Sequence, residues 1–263
     1  MATWSKIKFY WDTMLGRANS TLTASSTDTT SDFDVDYLHN WLEVGRWKSG
    51  VTTTPIYITY DGGVGVSYKA DYLTILGHNL FTSGASIGLE ASSTGDFAGE
   101  EVTVLGTTAV TSDKVFHKEF TLTGLYRYWR LAITGTLTEA PYMTICVWGE
   151  KTELDYASST FDPHGKTIKS SSSLSYAGVV TGVHEQYSER NIGLKFSSAD
   201  SALYEKIKNW NDNVGLRNFF MSWDSANYPD EVFLVMSSEN FSNPFNETGL
   251  YRDITINLKG RQE

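Results

Sequence analysis

Asp32, Asp34 and Asp36 alternate along one short stretch, and Glu43 follows eleven residues after the first of them. Carboxylates at the first, third, fifth and twelfth places of a loop are what an EF-hand offers calcium, but that loop needs glycine at its sixth place. Here the sixth place is Tyr37, and the flanks carry no helical pattern. Two readings stay open: a different calcium loop on the rim of a β-sandwich, or a solvated acidic loop closed by aspartates accepting from nearby backbone N–H groups. The five histidines (His39, His78, His117, His164, His184) have no metal-ligand spacing. The single cysteine, Cys146, sits in an apolar run and reads as a small core residue. No nucleophile elbow, phosphate-binding loop, zinc-protease helix or dinucleotide fingerprint is present. Carboxylates are plentiful, yet no two stand out as a glycosidase pair. The chain is therefore expected to be no enzyme, with no catalytic residue and no cofactor, and with Asp32, Asp34 and Asp36 as its only metal candidates.

Aromatic residues offer a different chemistry. Tyr37, Trp41, Trp47, Tyr60 and Tyr68 could form a surface on which sugar rings stack, with Trp41 and Trp47 as the candidate ligand faces. In a chain with eight Trp and fifteen Tyr such clustering arises easily, and aromatics bury large apolar areas wherever they can, so the core is the competing place for them. The first sixteen residues (Trp4, Ile7, Phe9, Tyr10, Trp11, Met14, Leu15) are too aromatic for a solvated tail. They are expected to pack as an arm, on this chain or on a neighbour, or to form the first strand of a later domain. Trp4, Phe9 and Trp11 are candidate oligomer contacts, as are Phe241 and Phe245 in the stretch from Asn240 to Leu250.

The elements that must position these residues are β-strands. The 263 residues are 40% hydrophobic, 14% aromatic and only 20% charged, and aromatic and β-branched side chains suit a pleated, half-buried surface. A formal net charge of −10 argues against a nucleic-acid partner, which needs a basic surface to displace counterions. No stretch approaches the roughly 20 apolar residues of a membrane span, and the N-terminus lacks the apolar core of a signal peptide. The glycosylation-type triplets at Asn19, Asn240 and Asn246 then read as chance.

Strand patterns appear at Ile56–Tyr60, Tyr72–Leu76, Ser86–Glu90, Glu101–Val104, Phe116–Leu122, Tyr128–Ile133 and Tyr142–Trp148, separated by turn signals such as Asp61-Gly62-Gly63. Many short strands suggest a sandwich or barrel. Residues 153–175 carry few large apolar side chains and a serine run, and read as a linker. Strand patterns resume at Gly178–His184, Asn191–Phe196, Phe219–Trp223, Glu231–Met236 and Tyr251–Leu258. A helix is expected over about residues 200–213. Asp200 is its N-cap, Leu203, Ile207 and Trp210 form one apolar face, and Gly215 ends it.

Two stretches carry a resemblance. One is Ala70-Asp71-Tyr72-Leu73-Thr74-Ile75-Leu76-Gly77-His78-Asn79-Leu80 with Gly84 to Ser93; the other is Leu125-Tyr126-Arg127-Tyr128-Trp129-Arg130-Leu131-Ala132-Ile133 with Ile145 to Gly149. Together they resemble the discoidin-like (factor 5/8 C-type, galactose-binding-like) jelly roll as found in tailed-phage virion proteins, over residues 17–152. Within it His78 is expected to be structural, and Arg127 and Arg130 to brace acidic loops. The second half, in the order Tyr187-Ser188-Glu189-Arg190, helix, Leu216 to Asp224 and Tyr251 to Leu258, is similar to the tail-tube-like β domain of distal tail and baseplate proteins, over residues 176–263. The expected fold class is thus all-β: a discoidin-like β-sandwich plus a small β domain with one helix.

That resemblance implies a structural subunit of a phage tail tip or baseplate, made in the host cytoplasm and found in the virion. It would form a homo-oligomeric ring, a hexamer for instance, and hold other tail proteins. The alternative is a lectin-like module that binds host-surface glycan.

Overall fold

The computed structural model describes residues 4–121, 124–158, 161–239, 241–247 and 249–261. The chain forms two compact units. One, the sandwich unit, is Tyr10–Thr152; the other, the split unit, is Met1–Phe9 together with Glu153–Glu263. Strand β1 (Lys8–Thr13) contains the point at which the chain passes from the split unit into the sandwich unit.

In the sandwich unit β1 is followed by β2 (Thr21–Ala24), β3 (Trp47–Lys48), β4 (Ile56–Asp61), β5 (Tyr72–Leu76), β6 (Ala85–Ser92), β7 (Val102–Ala109), β8 (Phe116–Glu119), β9 (Tyr128–Gly135), β10 (Tyr142–Met143) and β11 (Ile145–Glu153). One antiparallel sheet runs in the order β2-β4-β9-β6-β7. In the other layer β11 lies between β1 and β5, and β8 lies beyond β5. The sequence explains the layers. On β4, buried Ile56, Ile58 and Tyr60 alternate with the partly exposed Tyr57, Thr59 and Asp61, so only one face meets the core. Every residue of β5 is buried, as its doubly apolar pattern predicts. A row of facing residues, Ile58, Leu131 and Leu89, ties β4, β9 and β6 together. On β11, Gly149 has backbone in the place of a side chain: a Cβ there would overlap the carbonyl oxygen of Asp12 on β1.

The two arginines of the second quoted stretch are braces. Arg127 grips Asp61 through two hydrogen bonds of 2.6 and 2.8 Å, a fork that matches a carboxylate. Arg130 bonds Glu90 and lies between the rings of Tyr57 and Phe97, 4.3 and 4.2 Å away. His78 is buried, and its Nδ1 accepts from the backbone N–H of Leu80.

The split unit has β12 (Lys166–Leu174), β13 (Val180–Ala199), α1 (Ser201–Val214), β14 (Phe219–Ser222), β15 (Val232–Ser237) and β16 (Arg252–Arg261), with the strands in the order β12-β13-β16-β15-β14. The helix begins where its cap predicts: the Asp200 carboxylate accepts from the backbone N–H of Leu203 at 2.8 Å. Gly215, at φ +57, ends it and donates to the carbonyl of Asn211. Its apolar face packs Trp210 against Phe9 and Phe219, with the three ring centroids 4.9–5.2 Å apart.

Two expectations change here. Residues 153–175 are not a plain linker, because Lys166–Leu174 is a nine-residue strand. Its composition misleads because all nine residues are exposed, so no apolar face is required of it. For the same reason the expected break between His184 and Asn191 is absent: β13 runs through it for 20 residues, first as an exposed ribbon with β12 and then as a buried strand beside β16. The ribbon is amphipathic all the same. Alternation along β12 puts Ile168, Ser170, Ser172 and Leu174 on one face, and the register sets Val183 beside Ser172 and Val180 beside Leu174. Leu174, Val180 and Val183 therefore gather in a short apolar stripe, with Ile168 on the same β12 face beyond Ser172 and Ser170, and all four are exposed.

Candidate functional site

Several residues named from sequence belong to packing rather than to a site. Trp41 and Trp47 are 1% and 0% exposed, so neither presents a face to a sugar. The Trp47 indole N–H reaches the carbonyl oxygen of Ser26 and the hydroxyl of Thr27. Phe9 is completely buried in the split unit's aromatic core, and Trp11 is buried with its indole N–H on Thr152. As monomer core residues these two are not free oligomer contacts. Phe241 is partly buried, while Phe245 is exposed beneath the Arg252 guanidinium, 4.0 Å from its centroid. Asn240, in the same stretch, lies outside the described residues.

The aspartates are used locally. Asp34 caps a short 3-10 helix (Val35–His39) by accepting from the Asp36 N–H at 3.0 Å, and Asp32 accepts from the Tyr37 hydroxyl at 2.7 Å. Among the described residues no group of three His, Cys, Asp or Glu side chains is placed to hold a metal ion.

Trp4 leads instead to a cleft within the split unit. Three segments distant in sequence build it: Trp4, Ser5 and Ile7 at the start of the chain; Tyr156, Ala157, Phe161, Pro163 and His164 after β11; and Trp223 and Tyr228 after β14. The space they enclose is about 480 Å³, within the range of small-ligand sites. Trp223 is its centre. Tyr228 stacks on it at 4.7 Å with 26° between the planes. Trp4, Phe161 and the edge-on His164 surround it at 5.9, 6.3 and 6.1 Å. Each aromatic pair contributes about 0.5–1.5 kcal/mol beyond the area it buries.

The segments are locked in place by hydrogen bonds beneath and beside the rings. The Asp224 carboxylate is fully buried. It accepts from the N–H and hydroxyl of Ser5, both at 2.9 Å, and from the Asn227 amide at 2.6 Å. Burial alone would raise this carboxyl, but the Ser5 and Asn227 donors outweigh it and hold Asp224 below the usual range. The turn after Asp224 closes when the Tyr228 N–H donates to the Asp224 carbonyl, which sets the phenol over Trp223. Glu231 accepts from the Trp223 indole N–H at 2.7 Å and faces the His164 Nε2 at 3.6 Å. The Tyr156 hydroxyl donates to the carbonyl of Trp4 at 3.0 Å.

Trp4, Tyr156 and Tyr228 remain well exposed, at 53%, 53% and 41%. Rings open to solvent in this way offer faces on which a ligand can stack. Elsewhere some partly exposed aromatic rings are covered by the chain's own cations, as Phe233 is by Arg190 and Tyr204 by Arg252. Among the described residues no Lys or Arg lies over Trp4, Tyr156, Phe161, Trp223 or Tyr228. Sequence reasoning missed all of the cleft but Trp4. The available signal was the presence of Tyr156, Phe161 and His164 in a segment otherwise composed like a linker.

A smaller hollow, about 140 Å³, lies in the sandwich unit beside Lys69, Asp71, Glu150 and Lys151. Its charges are paired: Lys69 with Glu150 at 3.1 Å, and Lys151 with Asp71 and Glu119 at 3.6 and 3.0 Å.

No protein-family model matches the chain, and no curated protein matches it. Solved structures do. They include discoidin-like carbohydrate-binding modules, which are similar to about half of this chain. A Clostridium perfringens module, CpGH89CBM32-5, in complex with GalNAc-β-1,3-galactose, is 16% identical with a TM-score of 0.40, covering 50% of this chain and 95% of that one. A chitosan-binding module from a chitosanase/glucanase of Paenibacillus sp. IK-5 is 18% identical with a TM-score of 0.42, covering 52% and 98%. The CBM32 of AlyQ, in complex with 4,5-unsaturated mannuronic acid, is 19% identical with a TM-score of 0.38, covering 53% and 96%.

Proposed function

We propose that this chain is a non-catalytic carbohydrate-binding protein and that the aromatic cleft of the split unit holds the sugar. One observation carries the reading: five aromatic rings, none covered by a cation among the described residues, are fixed around a space of about 480 Å³ with exposed faces and a polar edge. The apolar faces of sugar rings lie flat on such surfaces, while the Tyr228 hydroxyl and the His164 ring stand where sugar hydroxyls need partners. The test is calorimetric titration of a panel of oligosaccharides into the whole protein, with Trp4→Ala and Tyr228→Ala beside it. Binding that weakens about tenfold or more in each variant, a loss of about 1.4 kcal/mol, supports the reading. Binding unaffected by both substitutions, or no binding across the panel, sinks it.

A second reading, a structural subunit that assembles into a ring and holds neighbouring proteins of a virion tail, is favoured by the exposed apolar stripe of the β12–β13 ribbon. Apolar residues gathered on one face of a two-stranded ribbon point to a partner surface, and ring subunits meet through two different complementary patches. Light scattering with negative-stain images tests it: closed rings that disperse in Val183→Lys favour assembly, and a monomer at all concentrations counts against it.

A further inference from the structure

Resting on the carbohydrate reading of the cleft, we infer that its preferred ligand is an amine-bearing sugar chain and that it disfavours acidic sugars. The inference comes from the charges around the rings. Among the described residues no Lys or Arg lines the cleft. Three cations of the adjoining segments are engaged: Lys6 with Asp155 at 3.5 Å, Lys8 with the Ser225 hydroxyl at 2.8 Å, and Arg190 with the Pro163 carbonyl at 2.8 Å and the Phe233 ring; Lys166, two residues beyond His164, is exposed and lies outside the lining. The carboxylates are closer to the rings. Glu231 is bonded to the indole N–H of Trp223, and Asp224 lies directly beneath the turn that carries Tyr228. Among the described lining residues His164 alone has a basic side chain, and its Nε2 faces Glu231 at 3.6 Å.

An acidic sugar would thus bring its carboxylate to a site whose described lining holds no Lys or Arg and which has two carboxylates nearby. Coulomb repulsion and lost hydration would both oppose it. A protonated amine would meet the opposite environment. The negative faces of Trp and Tyr rings attract a cation placed within about 6 Å of the centroid, and Glu231 adds a full negative charge at the edge. A neutral sugar would gain the stacking and nothing from the charge. The expected order of affinity is amine-bearing, then neutral, then acidic.

The experiment titrates the whole protein at neutral pH with four chains of equal length: β-1,4-linked glucosamine, its N-acetylated counterpart, a glucuronate chain, and a trimethylated glucosamine chain whose charge does not depend on pH. The two cationic chains are expected to bind about two- to five-fold more tightly than the N-acetylated chain, the range of an exposed cation–π contact. The glucuronate chain is expected to bind more weakly than the N-acetylated one. In Glu231→Gln, which keeps an acceptor for the Trp223 N–H, the cationic advantage should shrink while the N-acetylated chain still binds; that binding also reports that the variant is folded. Binding without a cationic preference, or with glucuronate equal to the amine, overturns the charge inference and leaves the carbohydrate reading standing. An unchanged preference in Glu231→Gln also overturns it. Failure of all four chains to bind overturns both.

Discussion

Asp224 joins the two ends of the split unit's sequence, since its carboxylate accepts from Ser5, 219 residues away. Because the folded-state carboxyl is held low, its contribution is complete above the ordinary carboxyl range and is lost as pH falls through the lowered native value. Asp224→Asn is expected to cost about 1–3 kcal/mol, the scale for a buried group left without its charge-assisted bonds. In urea unfolding the gap between variant and parent should be widest near neutral pH and narrow below the usual carboxyl range; a gap constant with pH would mean the charge is not what matters. Cys146 gives a residue-scale readout of the other unit. Burial pushes its thiol up, so in the native protein it should stay unreactive towards a thiol reagent and become reactive only when the sandwich opens. The same scale shows where sequence reading stops. Trp41, Trp47 and Trp223 are alike in type; what differs is depth, which depends on segments far away in the chain.

At the scale of elements, β5, β4 and α1 were legible because each writes its environment into its own residues. The doubly apolar run, the alternation, and the Asp200 cap with Gly215 are local signals. Asp200→Ala should therefore cost about 0.5–2 kcal/mol by loss of the cap, measurable by thermal or urea unfolding. Gly149→Val should cost about 1–3 kcal/mol or prevent folding, because the new side chain meets the backbone of Asp12. The ribbon of β12 and β13 was illegible for the converse reason. A strand exposed on both faces needs no alternation that opposes core to solvent, so its serines read as a linker. Its stripe becomes visible only after the register places Val183 beside Ser172. Val183→Lys is thus expected to leave stability within about 0.5 kcal/mol, as surface changes do, while abolishing any self-association seen by light scattering. The cleft lies beyond local reading altogether, since three segments must meet before it exists, the first about 150 residues before the second and the second about 60 before the third.

At the scale of the whole molecule, the net charge of −10 acts in the same direction as the cleft. It repels polyanions over distances set by the ionic strength, so any residual binding of acidic glycans should fall further as salt is lowered. The division of the chain has a different outcome, one that concerns its synthesis. Every residue of the sandwich unit is contiguous in the polypeptide, whereas Trp4 and Ser5 emerge more than two hundred residues before Trp223 and Asp224. A ribosome therefore releases a complete sandwich while the other unit is still missing most of its strands. During that interval Trp4 and Phe9, which belong to the split unit, have not met Trp223 and Trp210 and are the part a chaperone would find. Folding should proceed in two kinetic phases, with the slow one tracking the return of Trp4 to Trp223 rather than burial of Cys146.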